Sequence, residues 1–185
     1  MRGVKWILSK LFVPVAAVGR DRRQVVRMGD ALNVVERVLL VLPLHEEDRQ
    51  RVLPQLFQFK TDFPQWRLDL LFLGGSVPTT EDGFKGIGIV RATIEDVSPL
   101  GLPRKDLVNR LRERSYDLAI DLSMDYHPFV PYLLGRCQVP LRMGVNDAGR
   151  VRSRSYNLTV RLKETDDVMK GLADTLAPIC KAGTV

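Results

Sequence analysis

The stretch RVLLVLPLHEEDRQRVLPQLFQFKTDFPQ, residues 37–65, decides the fold class. A short apolar run, residues 38–42, gives way to a polar loop, and a helical pattern begins near Glu46. Strand, turn and helix in that order open a β-α-β unit. Val52, Leu53, Leu56, Phe57, Phe59 and Phe63 recur at spacings of three and four, so residues 46–63 read as one helix with a kink at Pro54. Glu46, Glu47 and Asp48 stand in its first turn, where negative charge complements the helix dipole. In open α/β sheets, ligands bind in the crevice beyond the carboxyl ends of the strands. The loop after the first strand, residues 43–48, is therefore the first place to look for chemistry.

The same alternation continues downstream. RLDLLFL at 67–73 reads as a buried strand ended by Gly74 and Gly75, and residues 87–92, with Ile94, as a short one. A helix is expected over 102–114 with Pro103 near its first turn. Strands follow at 116–122, 139–145 and 157–162, and helices at 127–136 and 166–179. Alternating strands and helices predict a Rossmann-like, three-layer α/β/α sandwich with a mainly parallel sheet. Glycines at 83, 86 and 88 superficially resemble a phosphate loop but lack the strand before and helix after that would give them that role.

With 185 residues, 45% apolar and 27% charged, the chain suits one soluble domain plus an extension. The boundary falls at 36/37: residues 1–36 form an amphipathic and basic extension, and residues 37–185 the domain. The net charge of +6 favours anionic partners modestly, or serves solubility. Two distant cysteines, Cys137 and Cys180, point to reduced thiols rather than a disulfide framework. Two histidines, His45 and His127, are too few for a multi-histidine metal centre, and no metal or cofactor is expected.

No apolar run reaches the roughly 18 residues of a membrane span. In VKWILSKLFVPVAAV, residues 4–18, Lys10 interrupts the apolar segment, which makes it a poor signal peptide. As a helix it carries Trp6, Ile7, Leu8, Leu11 and Phe12 around a narrow polar stripe. Trp6, Ile7, Leu11 and Phe12 then suit docking to a partner protein or to a membrane interface; packing on the chain's own domain is the other reading. The basic run at 19–27 lacks the interleaved aromatics of a nucleic-acid surface, so nucleic acid is not expected as a partner. Arg142, Arg150, Arg152 and Arg154 are candidates for a phosphorylated or otherwise anionic ligand or an acidic partner, or else form a solvated basic loop. Ser123, Asp125 and His127 follow a strand closely, as crevice residues do, although Ser and Asp also serve as turn and cap residues.

The set RVLLVLP, LPQL, FP and LDLL, then LVNRLRERSYDLAIDLS, then LLGRCQVPLRMGVNDAGR and YNLTV with a closing amphipathic helix resembles the N-terminal domain of the family 9 glycosyltransferases, the lipopolysaccharide heptosyltransferases. The resemblance spans about residues 37–179. It implies a bacterial protein with the acceptor-binding half of a two-domain, Rossmann-like enzyme whose other half binds a nucleotide-sugar. It also places the family's general-base aspartate at Asp48, counting back from Leu53-Pro54-Gln55-Leu56.

Two departures shape the functional expectation. Glu47 replaces the glycine before that aspartate, and Leu44-His45-Glu46 replace a serine-rich loop, so bulky acidic side chains stand where a phosphorylated acceptor would approach. The chain also has no room for a donor domain, so alone it is not expected to transfer sugar. The expectation is a non-catalytic glycosyltransferase-like subunit of a larger, membrane-associated complex, cytoplasmic or peripheral on the inner face of the cytoplasmic membrane. The alternative is the acceptor-binding half of a heptosyltransferase-like enzyme, with Asp48 as general base.

Overall fold

A computed structural model describes residues 28–74, 84–124, 127–145, 156–161 and 167–182. The proposed docking helix with Trp6, Ile7, Leu11 and Phe12, and the loop residues Asp125, Arg150, Arg152 and Arg154, lie outside the described residues.

The described strands are β1 (Arg37–Val41), β2 (Arg67–Leu73), β3 (Gly88–Ala92), β4 (Leu118–Asp121), β5 (Leu141–Val145) and β6 (Leu158–Val160). They form one sheet in the order β3-β2-β1-β4-β5-β6, and each adjacent pair is parallel. The expected mainly parallel sheet is therefore wholly parallel among these strands. Helices α1 (Met28–Asn33), α2 (Glu46–Val52), α3 (Leu56–Asp62), α4 (Lys105–Arg114), α5 (Phe129–Cys137) and α6 (Val168–Ala182) complete the layers.

The continuous apolar strands are explained by burial on both sides. Val38, Leu40 and Leu42 face a core shared with Val52, Leu56, Phe59, Leu172 and Leu176, which places α2, α3 and α6 on one side. Leu39 and Val41 face a second core with Leu107, Val108, Leu111, Val130 and Leu133, which places α4 and α5 on the other. Helix α6 packs against α1 and α3, and α4 against α5. Phe63 and Trp66 stack with ring centroids 4.3 Å apart within the first of these cores.

Local differences from the sequence expectations have physical causes. The helix of residues 46–63 is α2 and α3 joined by a 3-10 turn, Leu53–Gln55, because Pro54 lacks the N–H that a continuous α-helix needs. Pro103 is not in the first turn of α4. It bridges Val97, Arg104 is extended, and the helix begins only at Lys105. Ile94 is no strand residue: it opens a 3-10 turn, Ile94–Asp96, closed by a reciprocal Thr93–Asp96 capping box. Val34 lies just beyond the end of α1 and is 75% exposed.

The amino edge of the sheet carries a polar network that the strand pattern hides. Asp69 in β2 is buried; its Oδ2 accepts from the Tyr116 hydroxyl at 2.6 Å and from Arg114 Nη1 at 2.8 Å. Burial raises the Tyr116 hydroxyl well above its usual range, with the bond to Asp69 adding to the shift. Asp117 accepts the backbone N–H groups of Glu36 and Arg37 at 3.0 and 2.8 Å, tying the start of β4 to the start of β1.

Both described cysteines are free. Burial pushes the Cys137 thiol up to about 12 and raises that of Cys180 as well. A thiolate-selective reagent near pH 8 is expected to label Cys180 well before Cys137, with Cys137 reacting only on unfolding. Equal labelling rates in the native chain would contradict this burial. The linked effect on stability has one sign: a proton held more tightly in the fold than in the unfolded chain makes stability fall as pH rises. For Cys137 the decline runs from about 9 to about 12, the unfolded and folded values, and Tyr116 adds to it above about 10.

Candidate functional site

The strand order reverses between β1 and β4, because the chain builds outward from β1 to β3 and then returns to β4 on the other flank. Val41 and Asp121 are register partners at the carboxyl ends of these strands. This is the topological switch point, where the loops leaving two adjacent strands diverge and leave a crevice. Pro43, Leu44, His45 and Asp48 from the first loop and helix meet Ser123, Met124 and His127 from the second. They line a cleft of about 280 Å³, counting its open mouth.

Three of the expected site residues therefore come together: Asp48, Ser123 and His127. Asp48 is half-buried in the first turn of α2, and Arg51 Nη1 lies 3.8 Å from its Oδ1. His127 Nδ1 accepts the N–H of Phe129 at 3.4 Å, which orients the ring just ahead of α5. Of the lining residues, Leu44 and His45 are exposed, and Glu46 and Glu47, which follow them in the first turn of α2, also face solvent without lining the cleft. A carboxylate, two imidazoles and a hydroxyl can hydrogen-bond a polar ligand, and Asp48 can accept a proton from a hydroxyl held against it.

The floor of the crevice rests on residues that sequence reasoning did not single out. Asp121, only 2% exposed at the last position of β4, accepts the Ser123 N–H at 3.0 Å through Oδ1 and the Tyr156 hydroxyl through Oδ2. The ring of Tyr156 lies over Gly144 of β5, where a methyl group would come within 3.1 Å of it. A charged residue ending the apolar run LAID is the one sequence signal that marks Asp121; nothing local marks Tyr156.

Arg142 is placed elsewhere. It lies in the first half of β5, in register with Ala119, and its backbone N–H donates to Asn157 Oδ1 at 2.7 Å. Its Nη1 lies beside Gly135 of α5, and the residue does not line the crevice. Among the described residues, no group of three or more His, Cys, Asp or Glu side chains is arranged to hold a metal, and no helix is long and apolar enough to cross a membrane. No protein-family model, curated protein or solved structure matches this chain.

Proposed function

We propose that this chain is a glycosyltransferase-like binding module without catalysis of its own, serving as a subunit of a larger, membrane-associated assembly. The observation that carries the reading is the mouth of the switch-point crevice. Leu44 and His45 stand exposed along a small cleft, where a transferase needs an open, backbone-lined cradle for a bulky phosphorylated acceptor. Recovery from native membranes and from the soluble fraction under mild conditions tests it. The expected result is stoichiometric recovery within a large complex that is lost when residues 1–18 are deleted. A monomer in both fractions would sink the proposal.

A second reading is favoured by one specific observation, the convergence of Asp48, Ser123 and His127 on one cleft. It makes the chain the acceptor-binding half of a heptosyltransferase-like enzyme, with Asp48 as general base. Asp48→Asn separates the two. A partly solvated side chain paired at 3.8 Å with a largely exposed arginine contributes little to stability, so the change is expected to stay within about 0.5 kcal/mol by urea denaturation. Under the first reading the variant is recovered in the complex as before. Under the second it abolishes sugar transfer from a nucleotide-sugar when a donor domain is supplied.

A further inference from the structure

Arg49 follows Asp48 by one residue, about 100° further round the helix. That rotation carries it from the crevice to the side of α2 that also buries Val52. The whole residue is 2% exposed. Its Nη2 is paired with the Glu46 carboxylate, whose side chain is 52% exposed. Its Nε and Nη1 are buried with no acceptor among the described residues. A guanidinium cannot shed its charge, and a buried ion is tolerated only where its donors are met. One half-solvated carboxylate on one of three nitrogens does not meet them. Buried polar groups left this incomplete are uncommon in native folds.

We propose that Arg49 is the receiving group of an oxyanion site at the carboxyl end of β1, with Glu46 as its exchangeable internal counter-ion, and that the ligand is a phosphoryl group. Two considerations select phosphate over carboxylate. The ligand must displace a carboxylate that is already tethered one helical turn away, and a monocarboxylate would only replace like with like. A phosphate carries more charge and more acceptor oxygens, enough to engage the unmet Nε and Nη1 together. Glu46 reaches from the surface to the guanidinium, so its outward swing is the route by which the site opens. The proposal does not depend on whether the chain belongs to an assembly.

The test is thermal unfolding and calorimetric titration of the full chain with inorganic phosphate and with a soluble sugar monophosphate, against chloride and acetate at equal ionic strength. Either phosphate should raise Tm and bind saturably, while acetate should not. Arg49→Met should lose the response and keep its chloride Tm or exceed it, because an incompletely paired buried charge is replaced by an apolar chain. Glu46→Gln removes the competing charge and should tighten phosphate binding about two- to fivefold, the range of a partly exposed ion pair. If Arg49→Met does not fold, Glu46→Gln decides alone, and an unchanged affinity overturns the proposal. Absence of a phosphate response in the unsubstituted chain overturns it, with an internal acceptor then serving Arg49. A response retained in Arg49→Met marks an adventitious ion only and overturns it too. Binding confined to vesicles of phosphatidic acid in phosphatidylcholine also counts against it, since a buried guanidinium cannot meet a bilayer.

Discussion

Asp69→Ala is expected to destabilise the fold by about 3 kcal/mol, read as a lower urea midpoint with an unchanged slope. The carboxylate is buried in β2 and holds two donors of different character. Arg114 is 41% exposed at its side chain and can return to water, so its share of the loss is small. The Tyr116 hydroxyl is buried and would keep no acceptor among the described residues, which makes it the larger contribution. Gly88 supplies a second handle on the same network. It is the register partner of Asp69, and a β-carbon there would collide with Asp69 Oδ1. Gly88→Ala must therefore expel the carboxylate or move the strand, and its cost should approach that of Asp69→Ala. The two act through one group, so the double variant should be little worse than either single variant. Full additivity would show that Gly88 acts through the strand backbone instead. Trp66, buried against Phe63, is a suitable fluorescence reporter for the series.

That network also shows why the fold was more legible than its polar details. The runs VLLV and LDLLFL are apolar on both faces, which only a parallel, doubly covered sheet requires. The alternation of such runs with helical periods then orders the layers. Asp69, by contrast, is the single interruption in its run, and its partner Tyr116 lies 47 positions away. No local pattern announces a bond across that separation. The crevice was partly readable for a general reason: loops leaving adjacent strands at a switch point must approach one another, so Asp48, Ser123 and His127 meet. Strand pairing fixes Arg142 in the first half of β5 and beside α5, away from the crevice, a placement that its basic character alone does not announce. Arg49 was hidden inside a charged helix start that reads as a solvated face. Only its position relative to Val52 turns it inward.

Asp121→Ala is expected to cost about 2–4 kcal/mol and to loosen the crevice floor. This aspartate stands at the end of β4, where the strand order reverses, and each of its oxygens accepts a bond from a different side of the site. Removing it leaves the buried Tyr156 hydroxyl and the Ser123 amide without these acceptors. Ser123 begins one wall of the cleft, so loss of its tether should reach the ligand-facing loop as well as global stability. The two effects separate by measurement. Urea denaturation reports the global loss, and amide hydrogen exchange at Ser123 reports the local one, which should exceed it. Tyr156→Phe removes one bond and leaves the other, so it should cost less, about 1–2 kcal/mol, with Ser123 still protected. Should Tyr156→Phe expose the Ser123 amide as fully as Asp121→Ala does, the tyrosine rather than the aspartate would be what holds that wall. Asp121→Asn keeps the shape and one acceptor oxygen, and should fall between the two. Because Tyr156 packs over Gly144, Gly144→Ala is predicted to shift the ring, weaken its bond to Asp121 and reproduce part of the same loss without touching either partner.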